Sequence, residues 1–251
     1  MMITLAALNR WKASGLHLAL SATIGLAVVG LMLLVWYPWP LFEAAGGSEL
    51  VLLLIGVDVV LGPLLTLILF KPGKPGLKFD LALIAAIQFS ALAYGASVMF
   101  EARPVFMVFN VDRFTLTTSG QIPEGALARS LPPYDTLTLG GPRTVAARLP
   151  TDPQGKSKLM DYVLAGLDVP QLPEYFVAYD TLASAAAARA RPLDELMKRH
   201  PQAAPELRQL AAAHAPGTLR WLPLRAPVRD MSVLIDASSG AVVRVVPLAP
   251  W

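Results

Sequence analysis

Three long apolar runs fill the first hundred residues, and beyond them the pattern breaks into short alternating stretches. No Asp, Glu, Lys or Arg occurs between Lys12 and Glu43, and the core of that run is Leu18 to Tyr37. A second run, Leu50 to Phe70, is interrupted only by Asp58, and a third, Leu81 to Phe100, carries no charge. Each is about 20 residues, which at a helical rise of 1.5 Å spans a hydrocarbon layer of about 30 Å. The pattern predicts three transmembrane helices, at about 17–37, 50–70 and 80–100, in a membrane domain of residues 1–103. A separate domain is expected over 104–251. The first apolar core exceeds the roughly 7–15 residues of a signal-peptide core. It therefore reads as a retained anchor, although Ala44-Ala45-Gly46 follows it.

The second part is expected to be a small α+β domain. Val105 to Thr118 is rich in β-branched and aromatic residues and predicts one or two strands. Ser157 is expected to cap a helix over Lys158 to Ala165, with Gly166 as its stop. Ala183 to Ala190, Pro192 to His200 and Pro205 to His214 predict short helices, the last two opened by proline. Thr218 to Leu224, Met231 to Ile235 and Ala241 to Val246 predict strands, with a turn over Asp236 to Gly240.

Composition sharpens the division. Of 251 residues, 55% are apolar and 16% charged, with mean hydropathy +0.52. A soluble domain carries roughly 25% charged residues, so the composition argues against an ordinary cytosolic globule, and it excludes disorder. Residues 1–103 hold six Lys/Arg and five Asp/Glu, and 104–251 hold the other fifteen and thirteen. Lysine and arginine in short loops set membrane orientation. Arg10 and Lys12 precede the first run, Pro38 to Glu49 has neither residue type, and Lys71, Lys74 and Lys78 follow the second run. Glu101 and Arg103 stand at the exit of the third. The expected topology is N-terminus inside, lysine loop inside and C-terminal domain outside. The basic loop is explained as a topology signal, with no nucleic-acid partner.

Asp58 is the most informative single residue, because an ionisable group within a span costs roughly 2.5–3.5 kcal/mol on insertion scales. Three readings stay open: structural glue within the bundle, a contact for a partner transmembrane helix, or a proton relay. About 12 Å of helical rise separates it from the outer end of its run. Leu92 of the third run falls at that level, with Tyr94 within reach and Gln88 deeper. Gly62-Pro63 follows one turn later. The proline is expected to kink the helix, and the glycine permits close helix approach. Asp58, Gly62, Pro63, Gln88 and Tyr94 are thus the candidate partner-helix contacts. Asp80 is expected as an N-cap of the third helix, and Glu101 with Arg103 as an interfacial ion pair.

Catalytic signatures are missing. There is no cysteine, and the three histidines, His17, His200 and His214, lack metal-site spacing. No nucleophile elbow or phosphate loop occurs, and Gly140-Gly141-Pro142-Arg143 reads as a turn. No enzyme activity, cofactor or metal is expected.

Several stretches of the first 120 residues resemble the type IV pilin accessory proteins of the TfpX/TfpZ family. They are Arg10-Trp-Lys12 with His17, Trp36-Tyr-Pro38 with Leu41-Phe42, and Ala44-Ala-Gly-Gly47. Gly56-Val-Asp58-Val-Val-Leu-Gly-Pro63-Leu-Leu-Thr66, Phe70-Lys-Pro-Gly-Lys74, Leu77-Lys-Phe-Asp80-Leu and Ala93-Tyr94-Gly95 continue the match. Phe100-Glu-Ala-Arg-Pro104 and Val111-Asp-Arg-Phe114 close it. The resemblance implies an inner-membrane protein that helps a cognate type IV pilin accumulate and enter the pilus, with pilin, the pilus assembly machinery and the bilayer as partners. It brings no binding residues with it. The competing class is a membrane-anchored extracytoplasmic sensor. The short cytoplasmic segments leave little material to carry a signal inward.

Overall fold

The computed structural model describes residues 9–251. It divides into two compact units. One comprises the chain up to Val35 together with Gly47–Glu101. The other comprises Trp36–Gly46 together with Ala102–Trp251.

The first unit is helical. Helix α1, Arg10–Leu31, is capped by Asn9, whose side chain accepts the Lys12 N–H at 2.9 Å, and it runs on as a π-helical turn over Met32–Trp36. The second apolar run is helical from Gly47 to Leu69, but in three pieces. These are α3 (Gly47–Leu54), a π-helical segment (Ile55–Leu61) and α4 (Gly62–Leu69). Helix α5 covers Leu77–Ala102. Among the described residues, two helices, Arg10–Trp36 and Leu77–Ala102, are long and apolar enough to cross a bilayer. The middle run, expected as a third span, contributes a shorter apolar helix among the described residues, Ile55–Leu69, which includes the π-helical segment.

The return from π to α register at Gly62 has a local cause. In a π register the carbonyl of residue i meets the N–H of residue i+5. For Asp58 that residue is Pro63, which has no N–H. At one end of this unit Ala13, Phe70 and Leu77 pack together, which ties the start of α1 to the turn between α4 and α5.

The second unit is an α+β domain around a mixed eight-stranded sheet, ordered β4-β3-β1-β2-β6-β7-β8 with β5 alongside β6. The strands are β1 Pro104–Asn110, β2 Arg113–Thr118, β3 Arg143–Ala147, β4 Phe176–Ala178, β5 Arg191–Pro192, β6 Leu219–Arg225, β7 Met231–Asp236 and β8 Val242–Val246. β1 and β2 form an antiparallel hairpin, β1 with β3 and β2 with β6 are parallel, and β6-β7-β8 is an antiparallel meander. Alternation buries both faces. Met107, Phe109, Leu222, Leu224, Val233 and Ile235 face one core. Phe106 and Val108 face a second, and Trp221 and Leu234 a third.

Helices α7 (Ala183–Arg189), α8 (Leu193–Arg199) and α9 (Ala204–Ala212) fall where the alanine and proline patterns predict. Helix α6, Pro153–Leu164, begins earlier than expected: Asp152, not Ser157, caps it by accepting the Gly155 N–H at 2.7 Å. Gly166, at φ +83°, follows its end in the left-handed conformation that glycine permits. Gly240 ends the β7–β8 turn at φ +74°, and a Cβ there would lie 2.1 Å from the Ala183 carbonyl oxygen. Tyr179 donates to the Gly240 carbonyl at 2.6 Å, and burial pushes its phenol up to about 12.

The larger piece of the sheet domain begins at Ala102, and the domain takes in a second piece. Trp36–Gly46, expected as the end of the first span and part of the lysine-free loop Pro38 to Glu49, contributes the short helix α2, Leu41–Ala44. Leu41 and Ala44 are buried in the main core of the sheet. The Ala44 carbonyl accepts the N–H groups of Val228 at 3.0 Å and Arg229 at 3.3 Å, and Arg229 pairs with Glu43 at 2.7 Å.

Candidate functional site

In the helical unit the chemistry gathers around Asp58. Its residue is 8% exposed, and neither carboxylate oxygen has a hydrogen-bond partner among the described residues. It lines a cavity of about 90 Å³ together with His17, Ser21 and Gly25 of α1 and Gln88 and Phe89 of α5.

The walls are held by hydrogen bonds between helices. Gln88 Nε2 donates to the Asp58 backbone carbonyl at 3.1 Å, replacing the N–H that Pro63 lacks. Gly62 makes this approach possible, since a Cβ there would stand 2.0 Å from Gln88 Nε2. Ser14 Oγ donates to the Pro63 carbonyl at 2.8 Å. His17 Nδ1 and Thr66 Oγ1 lie 2.6 Å apart in a hydrogen bond. Polar groups inside an apolar bundle are satisfied by such bonds, or they carry a cost. The Asp58 carboxyl is the exception that the others surround.

Of the expected contacts, the structure brings Asp58, Gly62, Pro63 and Gln88 together. Leu92 also lines the cavity, at the level expected of it. Tyr94 is not brought in: it is 71% exposed on α5. Six residues separate it from Gln88, and at about 100° per residue that turns it well away from the Gln88 face.

Sequence reading missed His17 and Ser21 as wall residues. The signal was present, because Ser14, His17, Ser21 and Gly25 recur at three- and four-residue spacing on an otherwise apolar helix.

The residues expected at the ends of the helices are placed as follows. Lys71 and Lys78 are exposed in the turn and at the start of α5. Asp80 is not an N-cap. Helix α5 begins at Leu77, the Asp80 N–H already bonds to the Gly76 carbonyl at 3.0 Å, and the Asp80 carboxylate pairs with Lys74. Glu101 is exposed at the end of α5. Arg103, expected in an interfacial ion pair with Glu101, is 3% exposed within the sheet domain. There its Nε donates to the Thr138 carbonyl at 3.3 Å. Among the described residues no group of three or more His, Asp or Glu side chains is placed to hold a metal ion.

Comparison with known proteins decides the family. A fimbrial assembly protein of serogroup I from Dichelobacter nodosus is 36% identical over 185 residues, covering 72% of each chain. The chain belongs to the fimbrial assembly protein family. The serogroup E1 protein of the same organism matches equally, at 36% over 185 residues. The protein of serogroups C1 and C2 is 43% identical over 114 residues, which is 44% of this chain and 86% of that relative. The family profile described as fimbrial assembly protein FimB matches residues 6–46. That stretch holds α1 and the α2 segment buried in the sheet domain. These names describe assembly and not catalysis. No solved structure matches the chain.

Proposed function

We propose that this member of the fimbrial assembly family is a type IV pilin accessory protein of the TfpX/TfpZ kind. It would reside in the bacterial inner membrane with three spans, the N-terminus cytoplasmic and the sheet domain periplasmic. Its role is to support accumulation of a cognate pilin and its delivery to the pilus. Kinship with proteins named for fimbrial assembly carries the reading. The two-unit architecture supports it. A helper with apolar helices and a folded external domain can touch a membrane-anchored subunit at both its helix and its head. The second contact then gains effective concentration from the first. Asp58, Gly62, Pro63 and Gln88 are the residues proposed to serve the helix contact.

Deleting the gene in its native bacterium tests the role, with pilin read by immunoblot and piliation and twitching scored. Loss of pilin or pili, restored by the gene, is the expected result. Unchanged pilin, piliation and motility would move the reading to a membrane-anchored sensor. Exchanging the helices between relatives tests the two-part contact, which fails if partner specificity always follows the sheet domain.

A further inference from the structure

We infer that the Asp58 cavity is a receptor for one hydrogen-bond donor, a hydroxyl, amide or ammonium group, carried by the membrane helix of the fimbrial subunit. The inference rests on the accessory reading and adds to it the group recognised and the place of contact.

Three observations carry it. Both carboxylate oxygens of Asp58 are buried and unpartnered, while the Gln88 amide beside them is committed to the Asp58 backbone. A carboxyl left so in an apolar unit is costly, and a donor is its chemical complement. Secondly, the cavity of about 90 Å³ has several times the space one water molecule needs, which suits the polar tip of a side chain. Thirdly, the two strongly exposed lining side chains are Leu20 of α1, at 59%, and Phe89 of α5, at 62%. They form an apolar rim around a polar floor of His17, Ser21, Asp58 and Gln88. A free ion or soluble metabolite gains nothing from such a rim, whereas a helix gains contact along it.

The polar stripe of α1 sets the depth. Ser14 and His17 are already bonded across to Pro63 and Thr66, so they zip α1 to the middle helix. His17 also borders the cavity, and from there Leu20, Ser21 and Gly25 continue the α1 wall past Asp58. The guest group is therefore met near the middle of α1, within the apolar layer.

The test uses the full chain in its own membrane. A photo-crosslinking benzoylphenylalanine replaces Phe89, and separately Leu20, with exposed Phe79 on the same helix as the control site. The expected result is an adduct to the pilin's membrane helix from positions 89 and 20, several-fold stronger than from 79. It should fall several-fold with Asp58→Leu and persist with Asp58→Asn, which keeps an acceptor and a donor.

Because Asp58→Leu changes the bundle itself, a second measurement keeps the wild-type side chain. A lipid-soluble carbodiimide is applied to membranes with and without pilin, and modification at Asp58 is read by mass spectrometry. Several-fold protection by pilin is expected. Equal labelling with and without pilin, adducts to lipid or to a second copy of this chain, or adducts indifferent to Asp58→Leu would each overturn the inference. Loss of pili on gene deletion alongside unprotected Asp58 would leave the accessory role standing and remove the receptor. A protected Asp58 in a strain whose pili do not need the gene would do the reverse.

Discussion

The Gln88 side-chain amide donates to the Asp58 backbone carbonyl at 3.1 Å, across from α5 to the π-helical segment. That carbonyl lacks its i+5 donor because the residue there is Pro63. One side chain thus repairs a defect that the sequence itself creates. Its approach depends on Gly62, where no Cβ stands in the way.

A double-mutant cycle tests this dependence. Gln88→Ala leaves a buried carbonyl unsatisfied, at a cost of about 1–3 kcal/mol. Gly62→Ala pushes the same amide off the same carbonyl, so it removes the same bond. The two losses are expected to overlap, with Gly62→Ala/Gln88→Ala little less stable than either single variant. Thermal unfolding in detergent measures all four proteins. Additive losses would mean that Gly62 and Gln88 act on different partners.

The α2 segment makes the sheet domain dependent on a stretch far from it in sequence. Leu41 sits in the main core with Ala44, beside Met107, Phe109 and Leu224. Leu41→Ala is expected to cost about 2–5 kcal/mol, as for other buried leucines. By the same logic, residues 102–251 expressed alone expose the core that α2 covers. Calorimetry and a hydrophobic dye are expected to show a loosened domain, restored when residues 36–46 are supplied in trans. A cooperative melt of the 102–251 fragment equal to that of the restored complex would show that α2 is dispensable.

Sequence pattern carried the helices and the meander because their signals are local. The apolar runs, the proline-opened α8 and α9, and the glycine at Gly240 each need only neighbours in the chain. Strands β3 and β4 were not legible. β3, Arg143-Thr-Val-Ala-Ala147, is short and alanine-containing, and it exists because it pairs in parallel with β1 over a long loop. The burial of Trp36–Gly46 was hidden for the same reason: its partners Val228 and Arg229 lie nearly two hundred residues away. At the site, Asp58 announced itself as a charge in an apolar run. The role of Gln88 did not, because it follows from a missing N–H on another helix.

Acid should loosen the anchoring of α6. Glu174 accepts from Lys158, from Tyr162 at 2.8 Å and from Arg129 at 3.3 Å. Burial pushes its carboxyl up, but the Lys158 and Tyr162 hydrogen bonds, the Lys158 charge and the Arg129 contact outweigh it. They hold the carboxyl below its ordinary range. A depressed folded-state value means stability present above the unfolded value of about 4.3 and lost as pH falls through the folded one. The melting temperature of wild type is therefore expected to exceed that of Glu174→Gln at neutral pH, with the gap closing in acid. A gap that persisted unchanged to low pH would assign the loss to geometry alone.

The β1–β2 hairpin turns on Val111, which stands at φ 60° while the Asp112 N–H bonds to the Asn110 carbonyl at 2.7 Å. An i to i+2 bond around a positive-φ residue is the strained form of the three-residue turn. A β-branched side chain is poorly suited to it, because its Cβ crowds the following carbonyl, at about 1–2 kcal/mol. Val111 is exposed, so replacing it sacrifices little burial. Val111→Gly relieves the crowding but frees the unfolded chain, which takes back about 0.5–1 kcal/mol. Val111→Asn tolerates positive φ without that entropic loss. Both are expected to raise the melting temperature of the sheet domain, while Val111→Ile leaves it unchanged or lower. If glycine and asparagine both lowered it, the valine side chain would have to be held by a contact worth more than the strain.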